Sequence, residues 1–413
     1  MGNDRHMDIP AFPPLATAEA EIGQWLAQAG LAAVDEAELL EGLCTRLVAA
    51  GVPLWRVATG AELLHPLLDA RGCRWQRDLG IVKENYARQG MPEEEWRLSP
   101  FRYLMEQDDA TELRRRLEDG HRPGEFPLLD RFRAQGSTDY LALAISAASG
   151  VRRGSREGLI CSFQTDRPGG FRDAEVALLR RVAVLLALGF KVIIAIETAD
   201  TLMGTYLGLD AGRRVLAGAI ERGVAETVRA VLWYSDLEGF TPIADHASPD
   251  ELIALLNDYA EIVVDQVHAR GGQVLKFMGD GILAMFPLVD GTTPCDRALD
   301  AAVDACAAVE RLSAQRRAQG RPATGMHLAL HVGDVLYGNI GSRDRLDFTV
   351  VGPAVNEVAR IEGLCRSLEQ QVIVSAAFAR DAGPARGRLV SLGRYALKGV
   401  RRPEELFTLD PSD

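Results

Sequence analysis

Cysteine and histidine are scarce in this chain, at six and seven residues, and no two cysteines form a Cys-x-x-Cys pair. That excludes a disulfide-stapled miniprotein and leaves Cys44, Cys73, Cys161, Cys295, Cys306 and Cys365 as expected reduced thiols of a cytoplasmic protein. Basic residues are also short: Lys+Arg 46 against Asp+Glu 58 gives a net charge of -12. Wrapping a nucleic-acid backbone is therefore not expected, although a local basic pocket remains compatible. No signal peptide is evident, and the myristoylation-like start lacks its Ser or Thr, since His6 stands there. The longest apolar stretch, Val182 to Ile196, is short for a membrane span, is interrupted by Lys191 and follows Arg180-Arg181. A buried or dimer-forming signalling helix is expected there, and no membrane span.

What is present is ordinary globular material, 47% hydrophobic and 25% charged over 413 residues, enough for at least two domains with real cores. Glu19 to Ala50 carries apolar residues at helical spacing around Gly30, one helix or two. From Pro53 to Gly170, strand-like runs at Thr138 to Ile145 and Glu157 to Phe163 flank a polar turn at Gly154-Ser155-Arg156, with a charged helix expected around Glu112 to Glu118. Phe171-Arg172-Asp173-Ala174-Glu175 then leads a long helix to about Thr201. This succession, with no ligand-specific motif, resembles a GAF-type sensor, which implies an α+β input domain over residues 15–172. A signalling helix and linker follow over 173–226, with the boundary near Gly223.

Turn chemistry is explicit beyond that boundary. Arg229 to Ser235 reads as a strand running into Asp236. Ser248-Pro249-Asp250-Glu251 reads as a capping box opening a helix that stops at Gly271-Gly272. Strands Gln273 to Met278 and Ile282 to Phe286 flank a Gly279-Asp280-Gly281 hairpin turn. A helix from Pro294 to about Gln319 and strands Met326 to Val332 and Val335 to Ile340 complete an order that suggests a ferredoxin-like antiparallel core.

Such a core brings Asp236 and Asp280 to one edge of the sheet, where paired carboxylates suit hard divalent cations and phosphoryl chemistry. Separately, the two also read as a strand-end cap and a good turn residue. Lys276 sits in a strand and needs a partner or an exit to solvent. Asn356 and Arg360, four apart, share a helical face that suits a ribose and a phosphate; a surface pair of Arg360 with Glu357 is the plainer alternative. His331 reads as a hydrogen-bonded structural histidine, and His246 and His268 lack partners at metal-ligand spacing.

Three segments in order, Ser235-Asp236-Leu237-Glu238-Gly239-Phe240-Thr241, Lys276-Phe277-Met278-Gly279-Asp280-Gly281 and Thr349-Val350-Val351-Gly352 through Val355-Asn356 to Ala359-Arg360, resemble the catalytic domain of class III nucleotidyl cyclases. The resemblance covers about Arg229 to Leu409 within a domain placed at 227–413. It implies an adenylyl cyclase that converts ATP to cyclic AMP and pyrophosphate at a homodimer interface. Asp236, Asp280 and the Leu237 carbonyl would hold two divalent cations, Mg2+ or Mn2+. The turn through Gly239, Phe240 and Thr241 would cradle the β- and γ-phosphates. Lys276 and Thr349 would select adenine, Asn356 would orient the ribose, and Arg360 would stabilise charge at the α-phosphate. Lys398 and one of Arg343 and Arg345, with Arg345 favoured, would reach the triphosphate. A guanylyl cyclase and a nucleotide-binding module without turnover are the competing readings. The input to the first domain, a small molecule or a protein, is left open.

Overall fold

In a computed structural model of the chain, residues 15–87, 96–106, 111–120, 122–146, 158–288, 294–399 and 402–410 are described. The chain is α+β throughout and divides into two compact units, Met1–Leu202 and Met203–Asp413.

The first unit opens with α1 (Leu15–Leu31) and α2 (Glu36–Ala49), the second of which starts where the Asp35 carboxylate accepts from the Ala37 amide at 2.8 Å. An antiparallel sheet follows, in the order β3-β2-β1-β6-β5-β4. Its strands are β1 (Arg56–Glu62), β2 (Leu68–Gln76), β3 (Gly80–Ala87), β4 (Glu112–Arg116), β5 (Asp139–Ser146) and β6 (Gly158–Thr165). Val57, Trp75, Leu141, Leu143 and Phe163 point to one face and pack on α1, α2 and a long helix, α5 (Asp173–Leu207). The opposite face packs on α3 (Pro100–Glu106) and α4 (Pro127–Ala134) through Tyr140, Ala142, Leu104 and Phe132.

Two expectations are corrected here. Glu112–Arg116 is an edge strand and not a helix: Arg114 pairs with buried Asp139 at 2.7 Å and Arg115 with Glu125 at 2.6 Å, so its charges are consumed by neighbours beside the sheet. The long helix also runs on to Leu207, past the expected end near Thr201. The turn Gly154-Ser155-Arg156 lies outside the described residues. Helix α5 is, among the described residues, the one helix long and apolar enough to cross a membrane by length and composition. Val182, Leu186, Phe190 and Ile193 on one side of it are buried in the unit's core, while Val184, Leu188 and Ile196 are exposed.

In the second unit, α6 (Leu209–Leu216) precedes β7 (Ala225–Leu237), which occupies the middle of a sheet ordered β13-β14-β12-β10-β7-β9-β8. Strands β8 (Gln273–Met278), β9 (Gly281–Pro287) and β10 (Met326–Gly341) surround β7 as β10-β7-β9-β8, and helices α8 (Pro249–Ala269) and α9 (Cys295–Ala318) connect them. That is the expected strand, helix, hairpin, helix, strand arrangement. The two strands expected at Met326 to Ile340 are one continuous strand, because β7 pairs along its whole length from Met326↔Leu237 to Gly338↔Ala225. Beyond it come β11 (Leu346–Val351), α10 (Pro353–Glu362), α11 (Cys365–Leu368), β12 (Val372–Ser375), α12 (Ala376–Asp381), β13 (Leu389–Tyr395) and β14 (Glu404–Leu409).

The capping box forms only in part. Ser248 accepts from the Glu251 amide at 3.3 Å, but the Glu251 side chain turns instead to Arg316 and Arg321. Arg316, 1% exposed, also bonds Asp258 at 2.6 Å and the Pro322 carbonyl at 2.7 Å, locking α9 to α8. A buried guanidinium is tolerable only with this many partners.

Candidate active site

The carboxylates come together because register delivers them. Asp236 lies one residue before the end of β7, opposite His327, and Ser235 pairs with Ile282, so the β8–β9 turn stands beside it. Below them, the Trp233 indole donates to Ser235 Oγ at 3.0 Å, and that hydroxyl lies 2.8 Å from the Tyr259 hydroxyl, which fixes the strand end from the core side. The hairpin requires its glycines: Gly279 has φ +71°, and a Cβ on Gly281 would stand 3.0 Å from the Tyr234 hydroxyl.

Asp280 stands beside Asp236, close enough to act on its carboxyl group. Burial, together with neighbouring Asp280 and the charge of Glu362, pushes the Asp236 pKa up to about 7. Glu362, at the end of α10, is itself raised by burial and by Asp280. Asp236 Oδ1 is buried with no hydrogen-bond partner, and no basic side chain pairs with any of these three acids among the described residues. Among the described residues no three such side chains converge as a metal cluster, but the adjacent carboxyl groups of Asp236 and Asp280, with an orphaned oxygen and no counter-charge, suit a hard divalent cation. Glu362 is absent from the sequence reading; its position two residues after Arg360 was the available signal.

The phosphate-turn residues follow directly. Gly239 is left-handed, with φ 62°, and caps α7 (Phe240–His246), so Gly239, Phe240 and Thr241 stand at that helix's first turn. Arg366, also missed from sequence, places Nη2 3.5 Å from where a Cβ on Gly239 would be.

Lys276 has found its partner in Asp347, with which it forms an ion pair between β8 and β11. Asp347 precedes Thr349 by two on the same strand, so the Lys276 ammonium is drawn to the strand face that carries Thr349. Arg343 and Arg345 are exposed in the turn joining β10 to β11, where the Ser342 hydroxyl accepts from the Arg345 amide at 3.1 Å.

Asn356 and Arg360 are exposed on α10, and Lys398 is exposed in the turn after β13. The Arg360 guanidinium approaches that turn: a Cβ on Gly399 would be 3.5 Å from Nη1 and Nη2. None of Asn356, Arg360 and Lys398 makes a side-chain hydrogen bond or ion pair among the described residues. Glu357, the alternative partner for Arg360, lies instead 3.3 Å from His331 Nε2. Burial and the charge of Arg229 push the His331 pKa down to about 4, and its Nδ1 lies 2.9 Å from Ser375 Oγ, so it is a neutral structural ring as expected. Asp236 and Asp280 thus stand together with Glu362 from the end of α10, and Arg360 of the same helix approaches the turn that carries Lys398.

Residues 224–410 match the family described as the adenylate and guanylate cyclase catalytic domain. The chain is 33% identical over 166 residues to an adenylate cyclase of Anabaena cylindrica, covering 39% of this chain and 32% of that protein. It is 29% identical over 182 residues to adenylate cyclase 1 of Rhizobium meliloti, covering 41% and 27%. The chain therefore spans about a third of the length of these curated relatives. Among solved structures, a bacterial light-regulated adenylyl cyclase aligns at 23% identity with a TM-score of 0.47, covering 56% of this chain and 64% of that one.

Proposed function

We propose that the second unit is a class III nucleotidyl cyclase domain and that the protein is an adenylyl cyclase that converts ATP to 3′,5′-cyclic AMP and pyrophosphate. The observation that carries this reading is the acid pair: Asp236 and Asp280 side by side at the sheet edge with no counter-charge, and a buried Asp236 oxygen left unpaired.

In this reading Asp236, Asp280 and the Leu237 carbonyl hold two divalent cations. Bound there, Mg2+ or Mn2+ would lower the pKa of the ribose 3′-hydroxyl and neutralise the departing phosphates. The chain's own part is positioning and charge. Lys276 and Thr349 recognise the adenine edge, and Asn356 orients the ribose so that its 3′-oxygen faces the α-phosphorus in line with the leaving pyrophosphate. Arg360 and Lys398 supply positive charge where the transferred phosphoryl group gains negative charge, assisted by Arg345 and by the backbone amides after Gly239. No side chain is assigned as general base. The 3′-proton leaves to solvent or to a substrate phosphate.

The resemblance to class III cyclases implies a two-fold homodimer in which the acids of one subunit face the Asn356, Arg360 and Lys398 of the other, and the exposed, unpaired side chains of those three residues are compatible with it. We further assign the first unit as a GAF-like input domain over 15–172, and 173–226 as the connecting helix and linker of a cytoplasmic protein. Exposed Val184, Leu188 and Ile196 favour pairing of that helix with its copy.

The test is product analysis of the full chain with ATP and, separately, GTP, with manganese and then magnesium, beside Asp280→Ala. Cyclic AMP and pyrophosphate from ATP, abolished by the substitution, are expected. Cyclic GMP as the main product would favour the guanylyl reading that the family also contains. Nucleotide binding without pyrophosphate release would leave a binding module.

A further inference from the structure

The sheet of the first unit carries an unexplained polar row on the face that packs against α3 and α4. Arg56 on β1 stands directly opposite Gln164 on β6, and Gln164 stands opposite Tyr140 on β5. Directly opposed residues share a face, so these three side chains form a row across the middle of the sheet. Gln164 is fully buried, at 0% exposure, yet neither its Oε1 nor its Nε2 has a hydrogen-bond partner. Arg56 Nε is likewise buried and unpartnered.

The neighbours do not relieve them. Glu84, the acid near Arg56, is taken by Arg74 at 2.8 Å and by the Tyr86 hydroxyl at 2.8 Å. The Tyr140 hydroxyl is engaged with Ser162. The Arg56 guanidinium lies over the Phe132 ring, 4.7 Å from its centroid, and makes no ion pair among the described residues. Burial and the charge of Arg74 push the Arg56 pKa down, which is the mark of a cation lacking its anion. Folded chains rarely leave three such polar atoms unsatisfied side by side; ordered water, an ion or a bound molecule completes them.

The geometry points to a small-molecule site built on Arg56 and Gln164 that takes a small organic carboxylate with a neutral N–H or O–H donor beside it. Arg56 Nε and the Gln164 amide nitrogen both donate, which suits two carboxylate oxygens. Gln164 Oε1 accepts, which suits the adjacent donor. An ammonium in place of the neutral donor is disfavoured so close to Arg56 and Arg74. Phe132 and Ile160 offer apolar surface for the remainder of the molecule. The site does not depend on the catalytic reading of the second unit.

The test is thermal unfolding of the full chain with lactate, N-acetylglycine and mandelate as probes and lactamide as the neutral control, repeated on Arg56→Met and Gln164→Leu. A saturable rise in Tm with at least one carboxylate, absent with lactamide and weakened roughly tenfold or more in each variant, is expected. The same experiment separates a binding role from a structural one without any probe. Gln164→Leu removes an orphaned amide, so its probe-free Tm should equal or exceed that of the parent chain. A Gln164 that merely holds the fold together predicts a lower one. The proposal is overturned if none of the three carboxylates raises the Tm of the parent chain, if a response persists in both variants, or if Gln164→Leu alone lowers the probe-free Tm.

Discussion

The carboxyl group of Asp236 stands beside that of Asp280 although one lies at the end of a central strand and the other tips a hairpin. Burial beside another acid raises the cost of ionising Asp236, which therefore favours a proton or a cation.

That preference has a sign. The Asp236 pKa, raised from 3.8 to about 7, contributes stability that is full below the ordinary carboxylate range and lost as pH rises through about 7. The Tm of cation-free protein should therefore fall between about pH 5 and pH 8. Added Mn2+ should restore more at the upper end. Asp280→Asn should flatten the pH slope and remove most of the cation effect. A Tm that ignores Mn2+ at both pH values in the parent chain counts against a cation site here.

His331 predicts the opposite slope. Its ring is neutral and buried, with a pKa lowered from 6.5 to about 4, so it must take up a proton on unfolding in mild acid. Its contribution is full above the ordinary histidine value and is lost as pH falls from there towards about 4. Comparing urea midpoints of the parent chain and His331→Asn at several pH values isolates the effect, and the difference should narrow as the solution is acidified.

Lys276 and Asp347 test the nucleotide preference. Lys276→Ala should lower kcat/KM for ATP roughly tenfold or more, with a smaller loss for GTP. Asp347→Asn, which releases the ammonium without removing it, should move the same ratio in the same direction by less. An unchanged ATP-to-GTP ratio in Lys276→Ala would remove that lysine from base recognition.

Site sharing predicts complementation. Asp280→Ala and Arg360→Ala homodimers should each be inactive, and an equal mixture that exchanges subunits should recover roughly a quarter of the parent activity, because half the dimers carry one intact site of two. No recovery after demonstrated subunit exchange would argue that each chain builds its own site.

The acid pair, the Asn356 to Arg360 helix face and the alternation of β7 to β9 were legible in the chain because each rests on local chemistry. Asp280-Gly281 makes a turn wherever it occurs, and four-residue spacing puts two side chains on one helix face in any fold. The carboxylate Glu362, the cation Arg366 and the ion pair of Lys276 with Asp347 were not legible, because each depends on segments far apart in sequence meeting at one place. Glu112 to Arg116 looked helical by its charges and became an edge strand when Asp139 and Glu125 supplied partners.

By itself, then, the sequence determined which residues could do the chemistry and the order in which the strands and helices follow. Tertiary structure decided which of them meet. Pairing of β7 along its full length with β10 sets where Asp236 ends up, and burial there, beside Asp280, raises the pKa of its carboxyl group. In the first unit the same physics of pairing and burial aligned Arg56 with Gln164 and left both short of partners, which no local pattern in the sequence announces.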